Sequence, residues 1–252
     1  MTISIGEVKA RLQAACENEL PAFVAQFEKD TRSGVQKCVE TARKRIAALE
    51  KERERIDKLW EYERRYDSYM HICGIDEAGR GPLAGPVVAG AVILPRNCDL
   101  LYINDSKQLS EKKREELYEQ IMEKAVACGV GYASPQRIDE INILQATYEA
   151  MREAIGKLQP QPDLLLNDAV TIPQVSVRQI PIIKGDAKSI SIGAASIIAK
   201  VTRDRLMREY DQVFPEYDFS GNKGYGSSAH IEAIKKYGPT PIHRKSFIHS
   251  FV

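Results

Sequence analysis

The chain has 252 residues, 43% of them apolar, and a formal net charge of +1. That length allows one or two domains with a sizeable core, and the near-neutral balance excludes a bulk basic field for nucleic acid. Residues 1–70 hold 14 Lys and Arg against 13 Asp and Glu, so any nucleic-acid contact has to come from local clusters. The five cysteines stand singly, with no CxxC pair, as expected for reduced thiols in a cytoplasmic protein. Glu7, Lys9, Arg11, Glu17 and Glu19 interrupt the opening segment, which therefore lacks the apolar run of a secretory leader. The longest apolar stretch, Leu83 to Pro95, is too short and too rich in Gly and Pro to span a bilayer. A soluble, monomeric protein with no membrane partner is expected.

In chain order, a short helix is predicted over Ile5–Leu20, with Pro21 opening the next turn and Ser33-Gly34 breaking the chain. Val35 to Tyr66 then reads as one long helix, because Val35, Val39, Ala42, Ile46, Leu49, Ile56 and Leu59 recur at three-, four- and seven-residue steps. Residues 1–70 thus form a helical hairpin or bundle, either a substrate-gripping module or an interaction and stability element. The triplet Arg43-Lys44-Arg45 can contact nucleic acid or form a solvated helix face with i,i+4 pairs. From His71 the material changes to short apolar runs punctuated by Gly and Pro. Strands are predicted over Ile72–Asp76, Val87–Leu94, Ala127–Tyr132, Leu164–Leu166 and Val175–Ile183. Helices are predicted over Ser110–Ala127, Pro135–Lys157, Ser189–Tyr210 and Ser227–Tyr237, with Ser110 as an N-cap. The first two strands follow closely, as in a hairpin; helices separate the later ones, as in βαβ units. The expected class is α/β, a mixed central β-sheet flanked by helices behind a helical N-terminal extension, divided as 1–70 and 71–252.

Three apolar runs end in carboxylates: Asp76-Glu77, Asp168 and Asp186. Acids at strand ends can converge on one edge of an α/β sheet, and an all-oxygen set without His or Cys suits Mg²⁺ or Mn²⁺ rather than zinc. Side chains alternate along a strand, so Asp76 and Glu77 can share a site if the strand stops there, which Ala78-Gly79 permits. Gly79, Arg80 and Gly81 add a cation and exposed N–H groups suited to a phosphate. The following glycines superficially match a dinucleotide fingerprint, but the spacing is off by one and a strand follows where a helix is required. Tyr225, held between Gly224 and Gly226, can stack on a sugar or base, while Lys107, Lys184 and Lys223 are candidate phosphate contacts.

Gly74 to Val87 resembles the opening signature of bacterial ribonuclease HII. The resemblance runs on through Asp105 to Ser110, Asp168-Ala169, Lys184-Gly185-Asp186, Ala194 to Asp204, Lys223 to Gly226 and His243 to Phe247, so that it spans residues 71–250. Asn167 departs from it, standing where the family usually has a β-branched apolar residue. Ribonuclease HIII shares the acids but lacks the Gly-Arg-Gly triplet, so Arg80 favours HII. The resemblance implies an RNase H-like fold. It also implies an endonuclease cutting 5′ to ribonucleotides in RNA/DNA hybrids and ribonucleotide-containing duplex DNA, with 3′-OH and 5′-phosphate products. Such an enzyme removes misincorporated ribonucleotides and RNA primers. It further implies Asp76, Glu77, Asp168 and Asp186 as catalytic metal ligands, Gly79-Arg80-Gly81 as readers of the 2′-OH, and Tyr225 stacked on the following deoxyribose.

Overall fold

The computed structural model describes residues 3–250. Two compact units are present, one up to Asp57 and one from Lys58 onward. In the first, α1 spans Ile5–Ala14, α2 Leu20–Phe27 and α3 Ser33–Leu59. The predicted Ile5–Leu20 helix stops at Ala14, where Arg45 donates to the carbonyls of Leu12 (2.9 Å) and Ala15 (3.1 Å) and so satisfies a helix C-terminus. Ser33-Gly34 does not break the chain but opens α3, whose stripe buries Val35, Val39 and Ala42. The basic triplet is occupied within this unit: Arg43 pairs with Glu28 at 3.3 Å, Lys44 with Glu40 at 2.8 Å, and Arg45 caps α1. The long helix also ends before Tyr66: it gives way at Trp60, and a separate short α4 covers Glu61–Arg65.

The second unit carries the sheet. Strands β1 (Ile72–Ala78), β2 (Val87–Ile93), β3 (Ala127–Ala133), β4 (Leu164–Asp168) and β5 (Arg178–Ile182) lie in the order β3-β2-β1-β4-β5. β1 and β2 form the expected antiparallel pair, and β4 runs parallel to both β1 and β5. Two connections differ from simple βαβ units. Helix α5 (Glu111–Lys124) separates β2 from β3, yet these pair antiparallel, and the parallel pair β4–β5 is joined without a helix. Helix α6 (Pro135–Gly156) covers one face of the sheet and α7 (Ile190–Val213) the other. α6 is interrupted at Asn142 (φ 68°), whose Oδ1 accepts from the N–H groups of Leu144 and Gln145 and starts the helix afresh. Short α8 (Phe219–Asn222), α9 (Ser228–Tyr237) and short α10 (Lys245–Ile248) close the chain.

The sheet and α7 meet at backbone distance. A Cβ added at Gly74 on β1 would lie 2.0 Å from the Ser191 carbonyl carbon, and one at Gly90 on β2 would lie 2.4 Å from the Ala195 carbonyl oxygen. Only glycine fits there, which accounts for the small-residue opening of α7. Gly74→Ala is expected to lower unfolding free energy by about 2–3 kcal/mol through overpacking, measured by denaturant titration against wild type.

Beside Tyr217 and Phe219 lie two buried histidines, His230 and His243, their Nε2 atoms 3.0 Å apart. Burial and the neighbouring His230 push His243 down to about 4, and burial lowers His230 as well. The folded pair binds fewer protons than the unfolded chain below the ordinary histidine range, so its contribution is complete above that range and drains as pH falls. From pH 6.5 to about 5.5, His243 is expected to cost about 1 kcal/mol, or ~2–4 °C in Tm. Thermal melts of wild type and His243→Gln across that window should show the slope reduced in the variant.

Candidate active site

β1 does not stop at Asp76. It stays paired with β2 through Ala78, whereas its pairing with β4 ends at Ile75 opposite Asn167. The acids therefore keep their strand alternation, contrary to the sequence-based expectation. Asp76 shares the α7 face with Gly74, and Glu77 shares the opposite face with Ile75. The register that sets Gly74 beside Leu166 carries Asp168, two residues on, to the same face as Asp76. What brings the acids together is the open corner where β4 ends beside β1.

A cleft of about 850 Å³ opens at the end of β1, and its lining does not include Asp168 or Asp186. Asp76, Glu77, Gly79, Arg80, Gly81, Lys107 and Tyr225 all line it. Asp76 is buried, and its carboxyl is held well above the ordinary range by desolvation, then by the charges of Glu77 and Asp168, against a hydrogen bond from Ser196. Burial also raises Glu77, which Arg80 partly offsets from 3.3 Å. Asp168 Oδ1 accepts from Gly185 N–H at 2.7 Å, tying the end of β4 to the single 3-10 turn Gly185–Ala187 that carries Asp186. Asp186 is raised by burial and by the charges of Asp105 and Asp168. Lys184 is exposed, in left-handed backbone conformation, and lies outside the cleft lining. Lys107 lines the cleft, and its charge lowers both Glu77 and Asp186.

The charge of Asp168 thus acts on Asp76, Glu77 and Asp186 alike, linking four acids that offer only oxygen donors. Among the described residues no three His, Cys, Asp or Glu side chains already form a metal cage. A hard divalent cation such as Mg²⁺ does not require one, since it commonly takes one or two carboxylates and completes its shell with water and substrate phosphate. Mutual repulsion among buried acids is what such a cation would relieve, so the donor set fits.

Asn167 satisfies its amide N–H groups but leaves its buried Oδ1 without a partner among the described residues. It is buried on β4, and its amide donates to Gln179 Oε1 at 2.7 Å and to the Val170 carbonyl at 3.1 Å, while Gln179 in turn holds both polar backbone groups of Ile172. The pair pins the segment that follows Asp168.

Two residues carry the rim loop without having been singled out in the sequence. Arg244, fully buried, donates to the carbonyls of Gly79 (2.5 Å), Arg80 (2.8 Å) and Gly85 (2.8 and 3.0 Å). Arg203, also buried, donates to Ala84, Pro86 and Lys223. With their carbonyls drawn inward, the loop residues can turn N–H groups toward the cleft. Gly79 has φ +92°, and a Cβ there would sit 2.0 Å from Arg203 Nε, so only glycine satisfies both the backbone and the guanidinium. Arg203 also joins this loop to the turn before Tyr225, whose ring edge lies 3.8 Å from where a Gly81 Cβ would stand. Nothing in the sequence spacing links Arg203 and Arg244 to the loop; they are 41 positions apart and meet only in the fold.

The ribonuclease HII family profile matches residues 73–250, and the ribonuclease HII N-terminal domain profile matches residues 4–67. A ribonuclease HII of Lachnoclostridium phytofermentans is 62% identical over 248 residues, 98% of each chain, and one of Clostridioides difficile is 49% identical over 97% of each. Among solved structures, ribonuclease H2 of Pyrococcus horikoshii superposes with a TM-score of 0.61 at 31% identity, covering 72% of this chain and 97% of that one. The ribonuclease HII of Archaeoglobus fulgidus, solved in complex with PCNA, also gives 0.61, at 29% identity over 71% and 94% of the chains. A Bst-RNase HIII solved with Mn²⁺ gives 0.52 at 18% identity, over 67% of this chain and 63% of that one, a likeness of fold alone. The chain belongs to the ribonuclease HII family, and with it to the ribonuclease H endonucleases.

Proposed function

We propose that the protein hydrolyses the phosphodiester 5′ to ribonucleotides in RNA/DNA hybrids and in duplex DNA containing single ribonucleotides, leaving 3′-OH and 5′-phosphate ends. Removal of misincorporated ribonucleotides and RNA primers is the role that follows. The observation that carries this reading is the juxtaposition in one cleft of Asp76 and Glu77, both of which feel the charge of Asp168, with the Gly79-Arg80-Gly81 loop and Tyr225. Asp76, Glu77, Asp168 and Asp186 would hold Mg²⁺ or Mn²⁺. Bound there as a pair, such ions supply Lewis acidity to the attacking water and to the departing oxygen.

The chain's own residues do the rest. Arg80 and the loop N–H groups draw in the scissile phosphate and touch the 2′-OH, the one chemical mark separating RNA from DNA at a site. Tyr225 stacks on the next sugar and sets the register, and Lys107 and Lys184 reach neighbouring phosphates. Asp168 is held in place by the Gly185 N–H. We assign catalysis to residues 71–252; residues 1–70 act as an accessory helical module.

Duplex DNA carrying one ribonucleotide should be nicked 5′ to it when Mg²⁺ or Mn²⁺ is added and not in chelator, beside an intact all-DNA control. Absence of that nick on gel analysis would refute the proposal. Asp168→Asn is expected to lower the cleavage rate by about 10³-fold or more, the scale of losing metal-centred transition-state stabilisation, while duplex binding by fluorescence anisotropy stays within a few-fold.

A further inference from the structure

The two buried histidines sit directly beneath the turn that presents Tyr225. His230 Nδ1 lies 2.9 Å from the Tyr225 carbonyl, and His230 Nε2 lies 3.0 Å from His243 Nε2. His243 Nδ1 lies 2.9 Å from the Thr240 backbone nitrogen and 2.8 Å from its hydroxyl. Both side chains are buried, His230 wholly and His243 to 3% exposure, against Tyr217 and Phe219.

The ends of this chain assign its protons. A backbone N–H only donates, so His243 Nδ1 accepts from Thr240. A carbonyl only accepts, so His230 Nδ1 carries a hydrogen and donates to Tyr225. The contact between the two Nε2 atoms then has one neutral solution, with the hydrogen on His243. No other distribution of one proton per ring makes all three contacts favourable.

We propose that His230 is a positioning residue for substrate recognition, holding the Tyr225 carbonyl, and that His243 keeps it in the tautomer that can do so. The inference rests on the reading that Tyr225 stacks on the substrate. Around Tyr225 the Gly224 carbonyl accepts from the N–H groups of Leu83 and Ala84, and the Lys223 carbonyl from Arg203; Tyr225 N–H itself donates to the Asn222 carbonyl, Ser227 N–H donates to the Tyr225 carbonyl, and the ring is 48% exposed. His230 is thus the one side chain among the described residues that anchors the Tyr225 backbone. Fixing that carbonyl limits the backbone rotation that would swing the ring away from Gly81, so the stacking platform is preorganised before substrate arrives.

Amide variants separate this role from simple support. An asparagine amide nitrogen can stand near Nδ1 and still donate to Tyr225, whereas a glutamine amide reaches toward His243 and abandons Tyr225. On a duplex with one ribonucleotide, His230→Gln is expected to lower kcat/KM about tenfold, the scale of a lost stacking contact, and His230→Asn to recover most of that loss. His230→Gln should add nothing further in a Tyr225→Ala background. Thermal melts establish that each variant is folded. Nitrogen-15 NMR of the wild-type ring nitrogens, which needs no variant, should show the hydrogen of His230 on Nδ1 and that of His243 on Nε2. An equal loss from His230→Gln with and without Tyr225 would overturn the proposal, as would the opposite tautomers. Wild-type kinetics in His230→Gln beside an impaired Tyr225→Ala would overturn it while sparing the stacking role. An unimpaired Tyr225→Ala would overturn both.

Discussion

The close approach of α7 to the sheet is the constraint on which the site depends. Because Gly74 and Gly90 present no side chain, the helix rests on the strands through its own backbone at Ser191 and Ala195. Everything the site needs from α7 follows at fixed helical intervals from that contact. Ser189 caps the helix beside the turn that carries Asp186, Ser196 reaches Asp76, and Arg203 meets Gly79 and Pro86. A helix displaced by the width of a methyl group would lose these contacts together, since interiors are packed too densely to absorb the shift locally.

Charge is distributed in two layers around the cleft. Asp76 and Glu77 line it, and burial together with the charge of Asp168 favours their neutral form, a state that a divalent cation would reverse. Beneath the rim lie Arg203 and Arg244, lowered by burial to about 10 and about 9 and bonded to carbonyls instead of acids. A buried guanidinium saturated by carbonyl dipoles keeps its charge without a counter-ion, so the rim stays electropositive toward an incoming phosphate. The two layers meet at the rim, where Arg80 pairs with Glu77 at 3.3 Å.

Much of the site was legible because strand burial imposes a readable pattern. Apolar runs ending in Asp76-Glu77, Asp168 and Asp186 mark places where a sheet can present charge, and glycine-guarded Arg80 and Tyr225 both line the cleft. Strand ends were less legible. Whether Asp76 and Glu77 lie at the end of β1 or within it depends on β2, which pairs as far as Ala78, and on β4, which does not. Arg45, read as part of a basic triplet, turned out to cap α1, a use that depends on a carbonyl 33 positions away.

By itself the sequence determined the alternation of strands and helices, the acids available, the all-oxygen character of the donors and the membership of the family. These depend on local periodicity and residue chemistry, which a linear pattern carries. Only the tertiary structure decided which groups meet. It put Asp76 and Glu77 on opposite faces yet within reach of Asp168, placed Arg244 under a loop some 160 positions earlier, and joined His243 through His230 to Tyr225. Such pairings are set by strand register and helix packing across the whole sheet, and no local stretch of sequence encodes them.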